Sequence, residues 1–228
     1  MKRSLVNSSI RYAMKLLENN NIRLPVFGYW DIDEWRKHKD ELDVIEQLML
    51  GWDMTDHGLG RFDEIGCTLF TVRNGLLKDP SIGVPYCEKY LIFKDGQRLP
   101  IHYHSYKTED IINRAGGAMF IKLYNTVDNK AVDTPVEIYQ DGTKHCYQPG
   151  EEVLITPGNS ISITPGIAHT FGPKPGSGDL ICGEVSKVND DNIDNFHIEL
   201  QPKQYANIEE DERIIHPLCN EYARLLER

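Results

Sequence analysis

Hydrophobic residues near the N-terminus recur at the spacing of an α-helix. The apolar positions follow a period close to 3.6 residues, and a run of three asparagines then interrupts it, so a first helix is predicted to end near Asn19. A second helix is predicted to begin after Asp31 or Asp33, either of which can cap it, and to continue to Gly51. We expect residues 1–60 to form a helical N-terminal extension.

From about residue 62 the pattern changes to short runs of β-branched and aromatic residues. Turn signals such as Asp95-Gly96 and Asp141-Gly142 separate these runs. Many short strands with frequent turns are typical of a β-barrel or sandwich, so residues 62–200 are predicted to form a barrel. The predicted strands are residues 67–73, 89–93, 119–124, 136–139, 152–155 and 160–163.

The last part of the chain is less regular. The acidic segment 189–195 is predicted to be a loop, and residues 214–226 are predicted to form a final helix. We expect residues 201–228 to be a C-terminal extension. The length of 228 residues suits one domain that spans the whole chain, residues 1–228.

The composition limits the possible binding partners and the cellular location of the protein. A formal net charge of −10 disfavours nucleic acid and anionic membranes, which both require a basic surface. The five cysteines are scattered, without a CxxC pair, which argues against a disulfide framework and for reduced, mostly buried thiols. No signal segment and no apolar run long enough to span a bilayer is visible, so a cytoplasmic location is expected.

Histidine and glutamate residues in the middle of the chain have the spacing of a metal site. Residues two apart on a β-strand point to the same side, so His102 and His104 can bind one ion. Glu109 can join them if the chain bends or begins a new strand, and His169 can supply a third imidazole from a separate strand. This ligand set suits Mn, Fe, Zn, Co or Ni better than Ca or Mg, and it predicts an enzyme with a divalent cation.

The same residues match a known motif. From Gly96 to Gly116 the chain reads Gly, five residues, His-x-His, four residues, Glu, six residues, Gly, which resembles the first motif of the cupin family without a gap. The second cupin motif is nearly matched from Gly158 to His169, with Thr164 in place of its first proline. The resemblance implies an all-β cupin fold, a double-stranded β-helix or jelly-roll barrel, here with flanking N-terminal and C-terminal helices.

A narrower resemblance extends from residues 11–14 to residues 218–222. The chain is similar to the D-lyxose isomerases, the sugar ketol-isomerase branch of the cupins. The most similar runs are residues 88–91, 96–97, 102–114 and 184–192. The resemblance implies a Mn²⁺-dependent homodimer that interconverts D-lyxose with D-xylulose, and often D-mannose with D-fructose. A small monosaccharide is then the expected substrate, and Co²⁺, Fe²⁺, Zn²⁺ and Ni²⁺ are the alternative metals.

Sugar isomerisation requires a group that takes a proton from C2 and returns it to C1. Glu184 is the leading candidate for this base, on a predicted strand that runs into the acidic loop. Lys89 shares a strand face with Leu91, and it is predicted to hydrogen-bond a sugar oxygen or to stabilise the enediolate. Asp190 is the third catalytic candidate.

The other polar residues carry weaker predictions. Glu109 is an open alternative as the base, although a metal-bound carboxylate is poorly placed for that role. Lys107 is expected to be a surface or loop residue rather than a catalytic one. His145 and His197 have no ligand partner at a useful spacing and are expected to be structural.

Three other functions fit the same ligands. A cupin with three histidines and one glutamate can be a dioxygenase, and a requirement for oxygen would reveal it. A cupin sugar-phosphate isomerase would need a cluster of basic residues at the barrel mouth, where Arg98, Lys107 and Arg114 are the nearest candidates. A sugar-binding module without activity is the third alternative.

Overall fold

The computed structural model describes residues 1–191, 193–199 and 207–226. Four α-helices are present in this part of the chain: α1 (Arg3–Asn19), α2 (Ile32–Lys37), α3 (Asp43–Gln47) and α4 (Tyr222–Leu225). Three 3-10 helices cover Val26–Tyr29, Lys39–Glu41 and Cys219–Glu221. No helix among these residues has the length and apolarity that a membrane crossing requires.

The described chain contains fourteen strands. They are β1 (Gly51–Thr55), β2 (Cys67–Gly75), β3 (Gly83–Phe93), β4 (His102–Tyr103), β5 (Glu109–Gly116), β6 (Met119–Val127), β7 (Lys130–Val132), β8 (Val136–Gln140), β9 (Thr143–Tyr147), β10 (Val153–Ile155), β11 (Ser160–Ile163), β12 (Ile167–Pro173), β13 (Leu180–Lys187) and β14 (Phe196–His197). All six predicted strands are confirmed, and β2, β3 and β6 are longer than predicted.

The first helix is confirmed, whereas the single helix predicted from Asp31 to Gly51 is wrong. Asp31 does cap α2, because its carboxylate accepts the backbone N–H groups of Asp33 and Glu34, but α2 has only six residues. Positive φ angles at Met49 (50°) and Gly51 (110°) end the helical region. The chain then enters β1, which pairs with β2. The spacing of apolar residues between Asp31 and Gly51 does not indicate this pairing with a later strand.

The strands form two antiparallel sheets. The larger sheet has eight strands in the order β1-β2-β3-β13-β5-β11-β8-β9, and the smaller has β10-β6-β12-β4-β14, with β7 on β6. Side chains from both sheets meet in one apolar core that includes Phe93, Ile111, Ile121 and Phe171. The predicted all-β cupin barrel with flanking helices is therefore confirmed.

The outer face of the larger sheet is covered by α1. Val6, Ile10 and Leu17 of this helix pack with Phe70 and Ile92, and all five side chains are buried. Each such side chain stabilises the fold by roughly 1.5–3 kcal/mol on burial. With its outer face covered in this way, the larger sheet directs its opposite face to the barrel interior.

The C-terminal prediction is confirmed only in part. Instead of one helix over residues 214–226, the chain forms a 3-10 turn followed by the four-residue α4. Residues 189–191 and 193–195 form the predicted loop, and position 192 lies outside the described residues. Positions 201–206 and 227–228 of the expected C-terminal extension also lie outside them.

Candidate active site

Strand alternation directs a set of polar side chains into the barrel. On β3, Leu91 and Phe93 belong to the inner core, whereas Ile92 packs on the outer side. Lys89 shares the inner parity, as the sequence predicted. On β13, Glu184 follows the inner residue Cys182 at the same spacing, and it lies directly opposite Lys89 in the register of the two strands.

The four predicted metal ligands lie together. His102 on β4 is the cross-strand partner of His169 on β12. One ligand atom from each of His102, His104, Glu109 and His169 lies within 4.8 Å of the others, and all four residues are buried. Strand β4 ends at Tyr103, so His104 lies just beyond this strand rather than within it.

A tight turn returns the chain from His104 to Glu109, the first residue of β5. Asp194 holds this turn, because its carboxylate accepts the backbone N–H groups of Ser105 (2.7 Å), Tyr106 (2.9 Å) and Lys107 (2.9 Å). The bend that the sequence required between the second histidine and the glutamate is therefore present.

Backbone carbonyl groups orient the three histidines. Nδ1 of His102 donates to the carbonyl of Pro100 (2.9 Å), and Nδ1 of His169 donates to the carbonyl of Ile167 (3.2 Å). Nδ1 of His104 donates to the carbonyl of Asp194. A proton on Nδ1 leaves the Nε2 lone pair free, which is the form that binds metal ions.

Two buried atoms of this cluster have no hydrogen-bond partner among the described residues. They are Oε1 of Glu109 and Nε2 of His169, which lie 3.0 Å apart without forming a hydrogen bond. Two lone pairs at this distance repel each other unless a cation lies between them. The donor set therefore fits a divalent cation.

Burial and local charge shift the pKa values of the four-residue cluster toward the protonation states that bind a metal ion. Burial, and then the neighbouring His169, lowers the pKa of His102 well below its usual value, and burial lowers that of His104 to about 4. Burial opposes ionisation of Glu109, but the Lys107 ammonium favours it, and the pKa of Glu109 is held well below its usual range. Neutral imidazoles and an ionised carboxylate result near neutral pH.

A second cluster of alternating charges, with buried lysines, adjoins the first. Nζ of Lys107 lies 3.1 Å from Oε2 of Glu109, 2.9 Å from Oε1 of Glu184 and 2.9 Å from Oδ1 of Asn189. Nζ of Lys89 lies 3.6 Å from Oε1 of Glu184 and 3.5 Å from Oδ2 of Asp191. Lys107 lies in the turn before β5, as the loop alternative of its prediction has it, but the surface alternative is wrong, because its side chain is only 3% exposed.

Both clusters line one cavity of about 290 Å³. This volume lies near the lower end of ligand cavities, which begin at roughly 300 Å³, so it suits a small molecule. Its apolar wall includes Leu69, Leu91, Leu99, Ile111 and Phe171.

The remaining polar residues considered in the sequence differ in whether they line the main cavity. Asp190 lines a neighbouring cavity, whereas the adjacent Asp191 lines the main one. His145 lies on β9 and does not line the main cavity, whereas His197 does line it. These positions follow from strand pairing and loop conformation, and the sequence carried no local signal for them.

Four further polar residues of the cavity were not predicted to have a functional role. Asp53, Thr55 and His57 come from β1 and the turn after it, and Asn195 comes from the acidic loop. Burial, together with the charge of Asp191, raises the pKa of Asp53 to about 6. The alternation of β1 was the available signal, because Trp52 and Met54 pack on the outer side and leave Asp53 for the inner face.

Solved structures share this architecture. The chain superposes on the L-ribose isomerase of Acinetobacter sp. DL28 in complex with L-ribose with a TM-score of 0.60 and 15% identity, over 92% of this chain and 98% of that one. The L-ribose isomerase of Cellulomonas parahominis with L-ribose gives a TM-score of 0.54 and 13% identity over the same shares of the two chains. The fold and the buried ligand cluster thus define a cupin-type barrel with a candidate metal centre.

Sequence comparison is more specific. The family model of the D-lyxose isomerases matches residues 1–222. A D-lyxose/D-mannose isomerase of Escherichia coli O157:H7 is 37% identical over 225 residues, which are 97% of this chain and 98% of that protein. The D-lyxose/D-mannose isomerase of Serratia proteamaculans is 37% identical over 230 residues, 99% of this chain and all of that protein. The chain belongs to the D-lyxose isomerase family and is a sugar isomerase.

Proposed function

We propose that this protein interconverts D-lyxose with D-xylulose, and D-mannose with D-fructose, through an enediol-type intermediate. The observation that carries the proposal is the contact between the two buried clusters. Lys107 joins Glu109 of the ligand cluster to Glu184, so a proton-transferring carboxylate lies beside the candidate metal centre. Curated relatives named D-lyxose/D-mannose isomerase support the choice of sugars.

Glu184 is proposed as the group that moves the proton between C2 and C1. Its contacts with Lys107 (2.9 Å), Lys89 (3.6 Å) and Ser186 (3.3 Å) are all made by Oε1. We assign the proton transfer to Oε2, which none of these three contacts involves. Both oxygens of Glu109 already face other groups of the site, which makes Glu109 a poorer base.

The two lysines are proposed to stabilise the negative charge that develops on the sugar oxygens. Their ammonium groups are buried, and burial strengthens electrostatic interactions in the cavity. Lys107 also holds Glu184 in place through its 2.9 Å contact. We assign no step to Asp190, because Asp191 is the loop carboxylate that lines this cavity.

His102, His104, Glu109 and His169 are proposed to hold a divalent ion, with Mn²⁺ first and Co²⁺, Fe²⁺, Zn²⁺ or Ni²⁺ as alternatives. When bound, such an ion supplies a Lewis acid for the neighbouring oxygens of the sugar. The choice of Mn²⁺ is supported by the family resemblance, since the ligand set accepts all five metals.

A free sugar suits the cavity better than a sugar phosphate. Lys89 and Lys107 are already paired with carboxylates. Arg98 contacts Glu199, and Arg114 packs against Gly183, so neither arginine lines the cavity. No cluster of unpaired cations is left among the described cavity residues to bind a phosphate dianion.

The first experiment is ketose formation from D-lyxose and D-mannose by metal-stripped protein, with and without added Mn²⁺, in anaerobic D₂O. Activity that Mn²⁺ restores is the expected result, and deuterium at C1 of the ketose would support proton transfer. Activity only with oxygen would indicate a dioxygenase. Activity only on phosphorylated sugars would indicate a sugar-phosphate isomerase.

We further propose a cytoplasmic homodimer in which residues 1–228 form one domain, with the barrel at 62–200 and extensions at 1–60 and 201–228. The five free cysteines support a reducing compartment. The dimer rests on the family resemblance. Light scattering with size-exclusion chromatography tests it, because the expected mass is twice 26.1 kDa.

A further inference from the structure

Three neutral polar residues of the cavity have no part in the proposed chemistry. They are His57, Asn195 and His197. His197 on β14 lies opposite His102 on β4, and the two ring centroids are 5.8 Å apart. The ring of His57 lies 5.2 Å from that of His197. This neutral group therefore borders the His102 side of the ligand cluster, whereas the lysines and carboxylates border Glu109.

Each member of the neutral group has a buried polar atom without a hydrogen-bond partner in the described part of the chain. The atoms are Nε2 of His57, Oδ1 of Asn195 and Nδ1 of His197. Unpartnered buried polar atoms destabilise a fold, and three such atoms on residues that line one cavity are unusual unless a ligand bonds to them.

Neighbouring contacts hold these residues in place. The backbone N–H of His57 donates to Oγ1 of Thr55 at 3.0 Å, and Asp56 accepts the N–H groups of Gly58 and Gly60 in the same turn. Asn195 directly follows Asp194, whose carboxylate is bonded to the turn after His104. The polar atoms are thus held in place before a ligand arrives, as in a binding site.

The group is suited to hydroxyl groups rather than to ions. Burial, and then the neighbouring His197, lowers the pKa of His57 to about 4. Neutral imidazoles offer one donor and one acceptor each, and the amide oxygen of Asn195 accepts. Sugar hydroxyl groups both donate and accept, so they can satisfy all three atoms.

We propose that His57, Asn195 and His197 form a subsite that binds the hydroxyl groups beyond C3 of the open-chain sugar and thereby selects sugars by those hydroxyls. The inference rests on the proposed function for the placement of C1 and C2 beside the ligand cluster. A site that hydrogen-bonds a hydroxyl group rejects the analogue without it far more strongly than an apolar pocket does, because the protein atoms are left unpaired.

Binding of an unreactive polyol tests the subsite without relying on turnover. D-arabinitol, the polyol obtained by reducing D-lyxose, and its two analogues that lack the hydroxyl group at the carbon derived from C4 or from C5 of D-lyxose are titrated calorimetrically into Mn²⁺-loaded protein. The native protein should bind at least one deoxy analogue about tenfold or more weakly than D-arabinitol. Asn195→Leu and His57→Phe should bind D-arabinitol about tenfold more weakly and lose most of this discrimination.

His145→Phe is the matched control, because His145 stacks on Tyr147 outside the cavity, and this variant should bind all three polyols like the native protein. Metal content is measured in every variant, so that loss of the ion is separated from loss of the subsite. Equal weakening of D-arabinitol and both deoxy analogues, or no change in either cavity variant, would overturn the proposal.

The two proposals fail differently. If native protein isomerises no sugar but Asn195→Leu removes the discrimination among polyols, the proposed function fails and the subsite stands. If native protein isomerises D-lyxose and both cavity variants discriminate among the polyols as it does, the subsite fails and the proposed function stands.

Discussion

The charged and the neutral parts of the cavity satisfy their polar groups in different ways. In the charged part, Lys89 and Lys107 each contact two carboxylates, so the protein itself supplies the partners. In the neutral part, three buried polar atoms of His57, Asn195 and His197 have no described protein partner. A region whose lysines are paired by the protein is suited to hold reactive groups in position, and one whose neutral polar atoms lack partners is suited to recognise a ligand.

The energetic consequences differ as well. Removing one member of a buried ion pair leaves an uncompensated charge, which costs about 3–5 kcal/mol of stability. A neutral buried polar atom without a partner costs about 1–3 kcal/mol, and replacing it by an apolar group removes that cost. Mutations in the charged part should therefore destabilise the protein, whereas those in the neutral part should spare its stability and weaken ligand binding.

The largest effect is expected at the ligand that connects the two clusters. Glu109→Ala should remove the bound metal and reduce kcat/KM by at least about 10⁴-fold, because both the ion and the partner of Lys107 are lost. Metal analysis and steady-state kinetics measure this, and circular dichroism should show a folded barrel. Global unfolding of the variant would contradict the view that the core forms independently of the site.

Glu184→Gln should reduce kcat by about 10²–10⁴-fold and leave the metal content unchanged, because the amide cannot accept the C2 proton. Glu137→Gln is the matched control, since Glu137 is an exposed residue paired with Lys144 on the outer hairpin. Unchanged turnover in Glu184→Gln would assign the base to another residue, with Glu109 as the first alternative.

Lys107→Met should lower the free energy of unfolding by about 3–5 kcal/mol, since it leaves the carboxylates of Glu109 and Glu184 without their shared cation. Urea denaturation measures the loss. Adding Glu184→Gln to this variant should recover part of the stability, because the second change removes one of the unpaired charges. Strictly additive losses would argue against a coupled network.

The smallest effects concern pH, and they have opposite signs for Asp53 and His57. Burial raises the pKa of Asp53 to about 6, above its unfolded value, so its stabilising contribution is present at low pH and is lost as the pH rises through 6. Asp53→Asn should therefore gain stability relative to the native protein between about pH 4 and about pH 7, by on the order of 2 kcal/mol.

His57 has its folded pKa lowered to about 4, below its unfolded value of about 6.5. Its contribution is present above pH 6.5 and is lost as the pH falls toward 4. His57→Phe should therefore gain stability relative to the native protein as the pH falls. Urea denaturation of both variants and the native protein across this range gives the change in the free energy of unfolding as a function of pH. If this change had a slope of the same sign in both variants, the contrast between the two residues would be contradicted.

Local sequence patterns predicted those parts of the site that lie within one strand or one motif. The alternation of β3 placed Lys89 on the face of Leu91, and the spacing from His102 to Glu109 anticipated the bend between them. The same reasoning failed for Lys107, because a lysine in a turn is usually exposed. Its burial depends on Glu184 and Asn189, which are far away in the chain.

By itself, the sequence determined the β-rich class, the first helix, the family and the four candidate metal ligands, because these follow from periodicity and from fixed spacings. The tertiary structure decided which distant residues share the cavity. Asp53 and His57 reach it because β1 pairs with β2, and Asn195 and His197 reach it because β14 pairs with β4. Such pairings depend on the packing of whole sheets, which no single stretch of sequence contains.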